Sequence, residues 1–350
     1  WDAAKGTRGY SPPHRKSEAS AMHAASSVVD DSWQDGAALH DAALAFDLAP
    51  AGAKVRIRPM EARDLDEAAS IAFSAFNTFN ESVGQAPEFP PREVVDVPKY
   101  LYSSGLERQG FDVFVAVDEE GTVVGANMLE YQDGIGGIGP IASKCPGAGK
   151  LLMQAVMKAA AEHGVRAVRL NAVIANTRSF SLYLGLGFEP RRTCIEYVGC
   201  CTAEAPAGFV VKPLAASDVD ECSALHEQVC ASRRMGDIAS AVGGPHPNAV
   251  ARDEAGKVVG YTTGSYLSGH TVALSEEALQ ALVVAQSAAI AAAQAAGAPI
   301  PPPTLFVPHQ HSGFARWLAR NGFLLTRQIA SMSYGPLAEP AGFYLPSIQY

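Results

Sequence analysis

Asn176-Thr177-Arg178-Ser179-Phe180-Ser181-Leu182-Tyr183-Leu184-Gly185-Leu186-Gly187-Phe188 is the stretch on which the fold turns. An Asn ahead of a run with apolar residues at helical spacing reads as a cap, and Gly187 stands where the helix must end. The closing pair Gly187-Phe188 returns as Gly322-Phe323, and Gly121-Thr122-Val123-Val124-Gly125 returns as Gly256-Lys257-Val258-Val259-Gly260, both 135 residues on (256 less 121). Further out, Val55-Arg56-Ile57-Arg58-Pro59-Met60 alternates as a strand and leads into the helix start Asp64-Leu65-Asp66-Glu67. Phe209-Val210-Val211-Lys212-Pro213-Leu214 leads in the same way into Ser217-Asp218-Val219-Asp220-Glu221, 154 residues on (213 less 59). Three anchors in one order imply a duplicated domain.

The first copy reads as strand 55–60, helices near 64–76 and 91–108, and strands 112–118, 122–131 and 136–143. Helix 148–163, strand 165–174, helix 177–186 and strand 192–198 follow. The second copy keeps this order, with its long helix at Ser275 to Ala296. The expected class is α+β, a mostly antiparallel sheet flanked by helices, in two tandem domains, 54–200 and 201–350. Residues 1–53 mix Ser, Ala, Gly, Pro, His and charge without periodicity, and are expected to be a disordered or partner-docked tail.

A net charge of -9 with scattered basic residues argues against nucleic acid as the main ligand. Six cysteines show no metal-type spacing and a chain of this size needs no disulfide staples, so a reducing, cytoplasmic setting is expected. The apolar run Ala281 to Ile300 is broken by Gln286, Ser287 and Gln294 and reads as a helix of a soluble core, so no membrane is expected. The chain begins at Trp1 rather than Met, which leaves a preceding targeting signal open.

Lys144-Cys145-Pro146-Gly147-Ala148-Gly149-Lys150 lies between a strand and an apolar helix, where helix N-terminal amides can face a pyrophosphate and glycines permit close approach. Together with the Asn176–Phe188 run, about 29 residues downstream, it resembles the loop and the N, small residue, L-Y-x-x-x-G-F motif of the GNAT superfamily of acetyltransferases. The closing run Glu339-Pro340-Ala341-Gly342-Phe343-Tyr344-Leu345-Pro346-Ser347 is similar to the tail of two-domain bacterial members. The resemblance covers roughly 55–335. It implies two GNAT-like acyl-CoA N-acyltransferase domains, acetyl-CoA as co-substrate, and no metal.

The same resemblance implies a pyrophosphate loop at Lys144, Gly147, Ala148, Gly149 and Lys150, and an oxyanion-stabilising backbone amide near Ile141. It makes Tyr183 the general acid for the departing thiolate, a role that suits a phenol still protonated at neutral pH. A buried core role for Tyr183 stays open, as does helix capping for Asn176 instead of ordering the cofactor-side turn. No residue stands out as a general base: Glu130 and Asp133 lie toward the end of a central strand, where substrate-facing carboxylates could sit, but acids at strand ends are usually solvated. The chain departs from the pattern in having Lys144 where the family has Gln or Arg, and Pro146 where a backbone donor is wanted.

At the 135 shift, His311 falls on Asn176, Leu318 on Tyr183, Leu282 on Gly147 and Val284 on Gly149, so the second copy is expected to be non-catalytic. His309 and His311 share one strand face but lack a third ligand, and Cys200-Cys201 marks the domain junction. Substrate identity is not encoded legibly. The segment 61–110, with Phe73, Phe76, Phe79 and Tyr100, promises only an apolar contribution. Two functions fit: an acetyl-CoA-dependent N-acetyltransferase acting on an unidentified primary amine, small or protein-borne, or a non-catalytic GNAT-fold adaptor subunit of a larger assembly, such as a cytoskeletal or axonemal one, with residues 1–53 meeting the partner.

Overall fold

The computed structural model describes residues 54–349. The expectation for the tail 1–53 lies outside them. The described residues fall in one compact unit.

The first copy opens with β1 (Val55–Pro59), α1 (Leu65–Ser82), α2 (Val97–Glu107), β2 (Phe111–Asp118), β3 (Val123–Glu130), β4 (Ile135–Ile138) and β5 (Ala142–Ser143). It continues with α3 (Ala148–Glu162), β6 (Ala167–Val173), α4 (Thr177–Gly185) and β7 (Glu189–Gly199). The second copy runs β8 (Phe209–Lys212), α5 (Val219–Cys230), α6 (Met235–Ala241), β9 (Ala249–Asp253), β10 (Val258–Thr262) and β11 (Thr271–Ala273). After these come α7 (Glu276–Ala295), β12 (Thr304–Pro308), α8 (Ser312–Arg320), β13 (Phe323–Tyr334) and β14 (Phe343–Leu345).

The duplication shows in side chains as well as in element order. Asp64 accepts from the Glu61 amide at 2.8 Å and takes a forked pair of bonds from Arg58 at 2.6 and 2.8 Å. Asp218 accepts from the Ala215 amide at 2.9 Å and from Arg252 at 2.8 Å. In each copy one carboxylate satisfies an amide of the turn that enters the helix, which is why an Asp stands at both positions.

Three expectations need correction. α1 runs on to Ser82 and α2 starts only at Val97, because residues 83–96 form a loop held to α1 instead of a helix from 91. Asp96 caps α2 by accepting from the Lys99 amide at 3.2 Å, with Pro98 in the first turn, where its missing N–H costs nothing. The strand expected at 136–143 is broken into β4 and β5 around Gly139-Pro140. Pro140 has no amide to give to a ladder, so pairing must lapse there.

The sheet order is the larger surprise. A nine-stranded sheet runs β1-β2-β3-β4-β6-β13-β7-β12, with β5 beside β3, and a five-stranded sheet runs β14-β11-β10-β9-β8. β13, from the second copy, lies between β6 and β7 of the first. β7 in turn pairs with β12 of the second copy, Thr304 opposite Val198 through Pro308 opposite Cys194. β7 and its counterpart β13 have therefore each moved into the other copy's half, and the sequence division at 200/201 cuts across a continuous sheet.

The cores follow the exchange. Ala330 and Met332 of β13 pack with Leu129, Met157, Leu170 and Phe188 of the first copy, whereas Tyr197 of β7 packs with Leu279, Leu305 and Phe314 of the second. At about 1.5–3 kcal/mol for each large apolar side chain buried, these crossing residues tie the halves together strongly. α1 and α2 cover one face of the first sheet, meeting Val113, Val115 and Met128. α3 and α4 cover the other. α7 is long and apolar enough by composition to cross a membrane. Its face Leu279, Leu282, Val283, Gln286 and Ile290 is buried.

Candidate active site

β4 and β6 are parallel, with Ile135, Gly136 and Gly137 opposite Ala167, Val168 and Arg169, and their pairing stops there. Beyond it the chain turns away through Gly139-Pro140 and joins β3 as β5, Ser143 opposite Gly125. The strands splay, and the gap opens a cavity of about 1900 Å³ lined by Ile138 to Ser143 on one side and Leu170 to Val173 on the other. Cavities for single small ligands are typically ~300–1,000 Å³. This one has room for a large cofactor and an acceptor together.

The cofactor side is built by α3 and α4. Cys145, Gly147, Gly149, Lys150 and Asn176 line the cavity. Gly147 sits at φ +85°, a left-handed conformation natural to glycine, and a side chain there would meet open space. The Ala148 amide bonds to the Cys145 carbonyl at 3.3 Å, and those of Lys150 and Leu151 to the Gly147 carbonyl at 3.1 and 3.3 Å. Among the described residues, the amides of Cys145, Gly147 and Gly149 have no hydrogen-bond partner in this turn and are left for a ligand. Ala148 is fully buried and contributes as packing.

Lys144 is directed elsewhere: its Nζ pairs with Glu67 Oε1 of α1 at 2.6 Å. Ile141 lines the cavity in the break between β4 and β5 and packs against the α3/α4 core. Asn176 caps α4 by accepting from the Ser179 amide at 3.1 Å, while still lining the cavity. Arg178, inside the quoted motif but passed over in the reading of it, also lines the cavity and adds a second cation beside Lys150.

Tyr183 is both a core residue and a cavity residue. It is 7 % exposed, packs edge-on against Phe188 with ring centroids 6.3 Å apart, and lines the cavity from α4. Burial pushes its phenol up to about 12, with a hydrogen bond involving Ser179 pulling the other way. It therefore holds its proton at neutral pH, as a group that must give one to a thiolate should.

The opposite side of the cavity is built by the loop after α1 and by the second copy. Asn77 clamps Phe89 in both directions, donating to its carbonyl at 3.0 Å and accepting from its amide at 2.9 Å. Asn80 donates to the Ala86 carbonyl at 3.0 Å and to Glu88 at 3.1 Å. Arg327 of β13 then bridges Glu88, on this loop, and Glu196 of β7, at 2.8 Å to the latter from Nε. The two carboxylates and their hydrogen bonds outweigh the desolvation of the guanidinium and raise its pKa. Phe73, Phe76, Phe79 and Tyr100 line the cavity as the segment 61–110 suggested, joined by Phe89 and, from the second copy, Tyr266 and Leu267.

Of the two candidate bases, Glu130 lines the cavity and Asp133 does not. Asp133 accepts from the Gly236 amide at 3.2 Å at the start of α6. The other sequence candidates are also engaged. His309 Nδ1 lies 3.2 Å from the Thr193 carbonyl, His311 leans on Phe343, and the Cys201 amide donates to Ser287 at 3.0 Å. All six cysteines are free thiols.

In the second copy the equivalent gap is filled. β14 pairs with β11, Thr271 opposite Leu345 and Ala273 opposite Phe343, and Leu345 enters the core beside Leu305 and Val307 of β12. Leu318 takes the place of the phenol in that core. Among the described residues, β14 and Leu345 occupy the place that the open cleft takes beside β4 and β6.

A mixed sheet splayed beside a helix N-terminus, with a buried tyrosine from the next helix, is the arrangement of a GNAT-like fold. Residues 78–188 match the acetyltransferase (GNAT) family, and the described residues form two GNAT-like domains in tandem. The fold is similar to that of a Pyrococcus horikoshii protein assigned as an acetyltransferase, at TM-score 0.62 and 14% identity over 85% of this chain and 95% of that one. It is similar also to a GCN5-related N-acetyltransferase from Sphaerobacter thermophilus, at TM-score 0.54 and 14% identity over 83% and 99% of the two chains. No curated protein matches the chain in sequence.

Proposed function

We propose that the chain is an acetyl-CoA-dependent N-acetyltransferase whose one working site lies in the first copy and whose acceptor is a primary amine. The observation that carries this is the convergence on one cavity of the β4/β6 splay, the α3 N-terminus and Tyr183. Acetyl-CoA, the family's usual donor, supplies an acetyl thioester. The residues present suit it: Gly147 and Gly149 let a pyrophosphate approach the start of α3, and Lys150 and Arg178 offer cations to it. The pantetheine arm fits the splay, between Ile141 and the strand β6. Tyr183 donates its proton to the sulfur as the amine takes the acetyl group, and burial keeps that proton in place until it is needed.

Titration calorimetry with acetyl-CoA tests the reading, and absence of binding at millimolar donor refutes it. Tyr183→Phe should lower turnover about 100-fold, the lower end for a lost general acid, while leaving acetyl-CoA affinity within twofold. Unchanged turnover removes Tyr183 from the chemistry. The adaptor reading draws its support from Lys144, which is committed to Glu67, and from Pro146, which together leave the loop with few donors; it predicts no binding at all.

A further inference from the structure

Glu130 is the last residue of β3 and stands opposite Gly137, the residue at which β4 and β6 part. Strand alternation puts its side chain on the face of Met128, which packs against the α1/α2 layer, and opposite to Leu129, which shares a cluster with Tyr183. The general acid and this carboxyl therefore approach the splay from opposite faces of the sheet. Glu130 is 4 % exposed, lines the cavity, and has a buried Oε1 without a hydrogen-bond partner among the described residues. A buried polar atom without a partner in a cavity wall is costly unless a ligand meets it.

Asp237 of α6 also lines the cavity, and the bond from the Gly236 amide to Asp133, three residues beyond Glu130, ties the start of α6 to the end of β3. Asp237 accepts from Arg234 Nε at 2.5 Å, and Arg234 is itself held by Tyr344 at 2.9 Å and Ser347 at 3.2 Å. These last two belong to the segment that fills the second copy's cleft. The structure thus runs a chain of contacts from the closed second cleft to the wall of the open first one.

Resting on the transferase reading, we propose that Glu130 and Asp237 form the acceptor-amine subsite. Glu130 receives the proton that a primary ammonium gives up, and Asp237, delivered by the second copy and clamped by Arg234, positions it. The surrounding wall of Phe76, Phe89, Tyr266 and Leu267 takes an apolar carbon skeleton, so the acceptor class is a primary amine on an alkyl or arylalkyl body. The ammonium nitrogen loses two protons in all. One goes to Glu130 before attack. The second leaves as the C–N bond forms and the C–S bond breaks, and replaces the proton that Tyr183 has given to the thiolate. Glu130 returns its proton to solvent.

The charges facing the pair agree with this. Burial, then the charge of Asp237 and the hydrogen bond with it, push the Glu130 carboxyl well above the usual range, while Arg234 and Arg108 oppose the rise. Burial disfavours the Asp237 charge, yet the Arg234 guanidinium and the hydrogen bond with Glu130 hold its carboxyl below the usual range. Asp133, itself raised by burial and by Asp237, and Tyr266, raised likewise, complete the ionisable surroundings. Glu130 is accordingly the member of the pair with the greater proton affinity, so in its ionised form it, and not Asp237, takes the ammonium proton.

The test uses the full chain with acetyl-CoA and 2-phenylethylamine, following thiol release against pH for wild type, Glu130→Gln and Asp237→Asn. Donor affinity is measured separately by calorimetry. Glu130→Gln should lower kcat about 100-fold or more with acetyl-CoA affinity unchanged. Asp237→Asn should keep measurable turnover but move the acid limb of kcat/KM to lower pH, because Glu130 ionises more easily without a negative neighbour. A merely structural Asp237 would lower activity without moving that limb, and that result overturns the proposal. So does full kcat in Glu130→Gln, or a wild type that binds acetyl-CoA but does not acetylate the amine. A wild type that fails to bind acetyl-CoA refutes the transferase reading instead. Thermal melts of both near-isosteric variants show whether each is folded, and the limb shift in Asp237→Asn decides the matter if Glu130→Gln is not.

Discussion

Arg327→Met is the substitution that most directly probes how the acceptor wall is built. Arg327 enters from β13, is 10 % exposed, and lies between Glu88 and Glu196, each 8 % exposed. Removing the guanidinium while keeping its bulk leaves two buried carboxylates in one pocket without a cation. Breaking a buried pair by removing one partner typically costs ~3–5 kcal/mol, and an attraction of ~4 kcal/mol at 4 Å with an effective dielectric near 20 is of the same size. The expected loss is therefore about 4 kcal/mol of folding stability, read as a lower urea midpoint with little change in slope. The loop bearing Glu88 should also loosen, because Arg327 is its main tie to the sheet beyond the Gln85 bond to the Thr326 carbonyl at 3.1 Å. Weaker acceptor binding and unchanged acetyl-CoA binding should accompany the loss. A cycle with Glu88→Gln should give a coupling of about 1–3 kcal/mol. A loss below about 1 kcal/mol, or no coupling, would show that the triad is not what anchors this wall.

Other outcomes follow from the same structure. Gly322→Ala should destabilise by about 3 kcal/mol, combining a left-handed φ of +92° with a Cβ driven into the Cys200 carbonyl at the start of the exchanged strand; a urea midpoint equal to wild type contradicts it. His226 is lowered to about 4 by burial first and Arg234 second, and His270 lies well below its ordinary value for the same reasons. Stability carried by these neutral rings is complete above pH 6.5 and declines as pH falls toward 4, by at most about 1.4 kcal/mol per unit for each ring. A flat stability between pH 6.5 and 5 refutes that. Residues 54–200 expressed alone should be insoluble, since β6 would lose β13 and β7 would lose both neighbours; a folded, soluble fragment would show that the exchange is dispensable.

The duplication was legible because it is written in local signals. The Asp64 and Asp218 turns, the two Gly-x-Val-Val-Gly hairpins and the two Gly-Phe pairs each specify a turn or a helix end by their own chemistry. Tyr183, Asn176, Gly147 and Gly149 stood out for the same reason, as parts of two contiguous motifs, and they line one cavity. The exchange of β7 and β13 was not. Alternation fixes which face of a strand is buried but not which strand lies beside it, and both strands alternate alike. Everything that depends on the exchange was hidden with it: Arg327 and Glu196 on the crossing strands, Arg234 and Asp237 on α6. The helix expected from 91 starts only at Val97, because Asp96 is the cap and Asn77 and Asn80 hold the preceding loop in place.

The fate of the second cleft explains why a copy without a phenol or a glycine cradle is still built into the site. Once β14 occupies the gap beside β11, Tyr344 and Ser347 become fixed points in the interior, and Arg234 can be clamped by them without water. The Ser347 carbonyl accepts from Asn171 Nδ2 of β6 at 2.5 Å, and Asn171 Oδ1 accepts from Ser331 of β13 at 2.6 Å. The filled cleft is thereby joined to the strand that forms one wall of the open one. Ile348 and Gln349 continue along that wall. A second copy that kept an open cleft would leave Arg234 solvated and free to move, and the carboxyl pair at the first site would lose its fixed neighbour. Closure of one site and completion of the other are thus the same packing event, which is a physical reason for the two copies to have diverged in opposite directions while sharing one sheet.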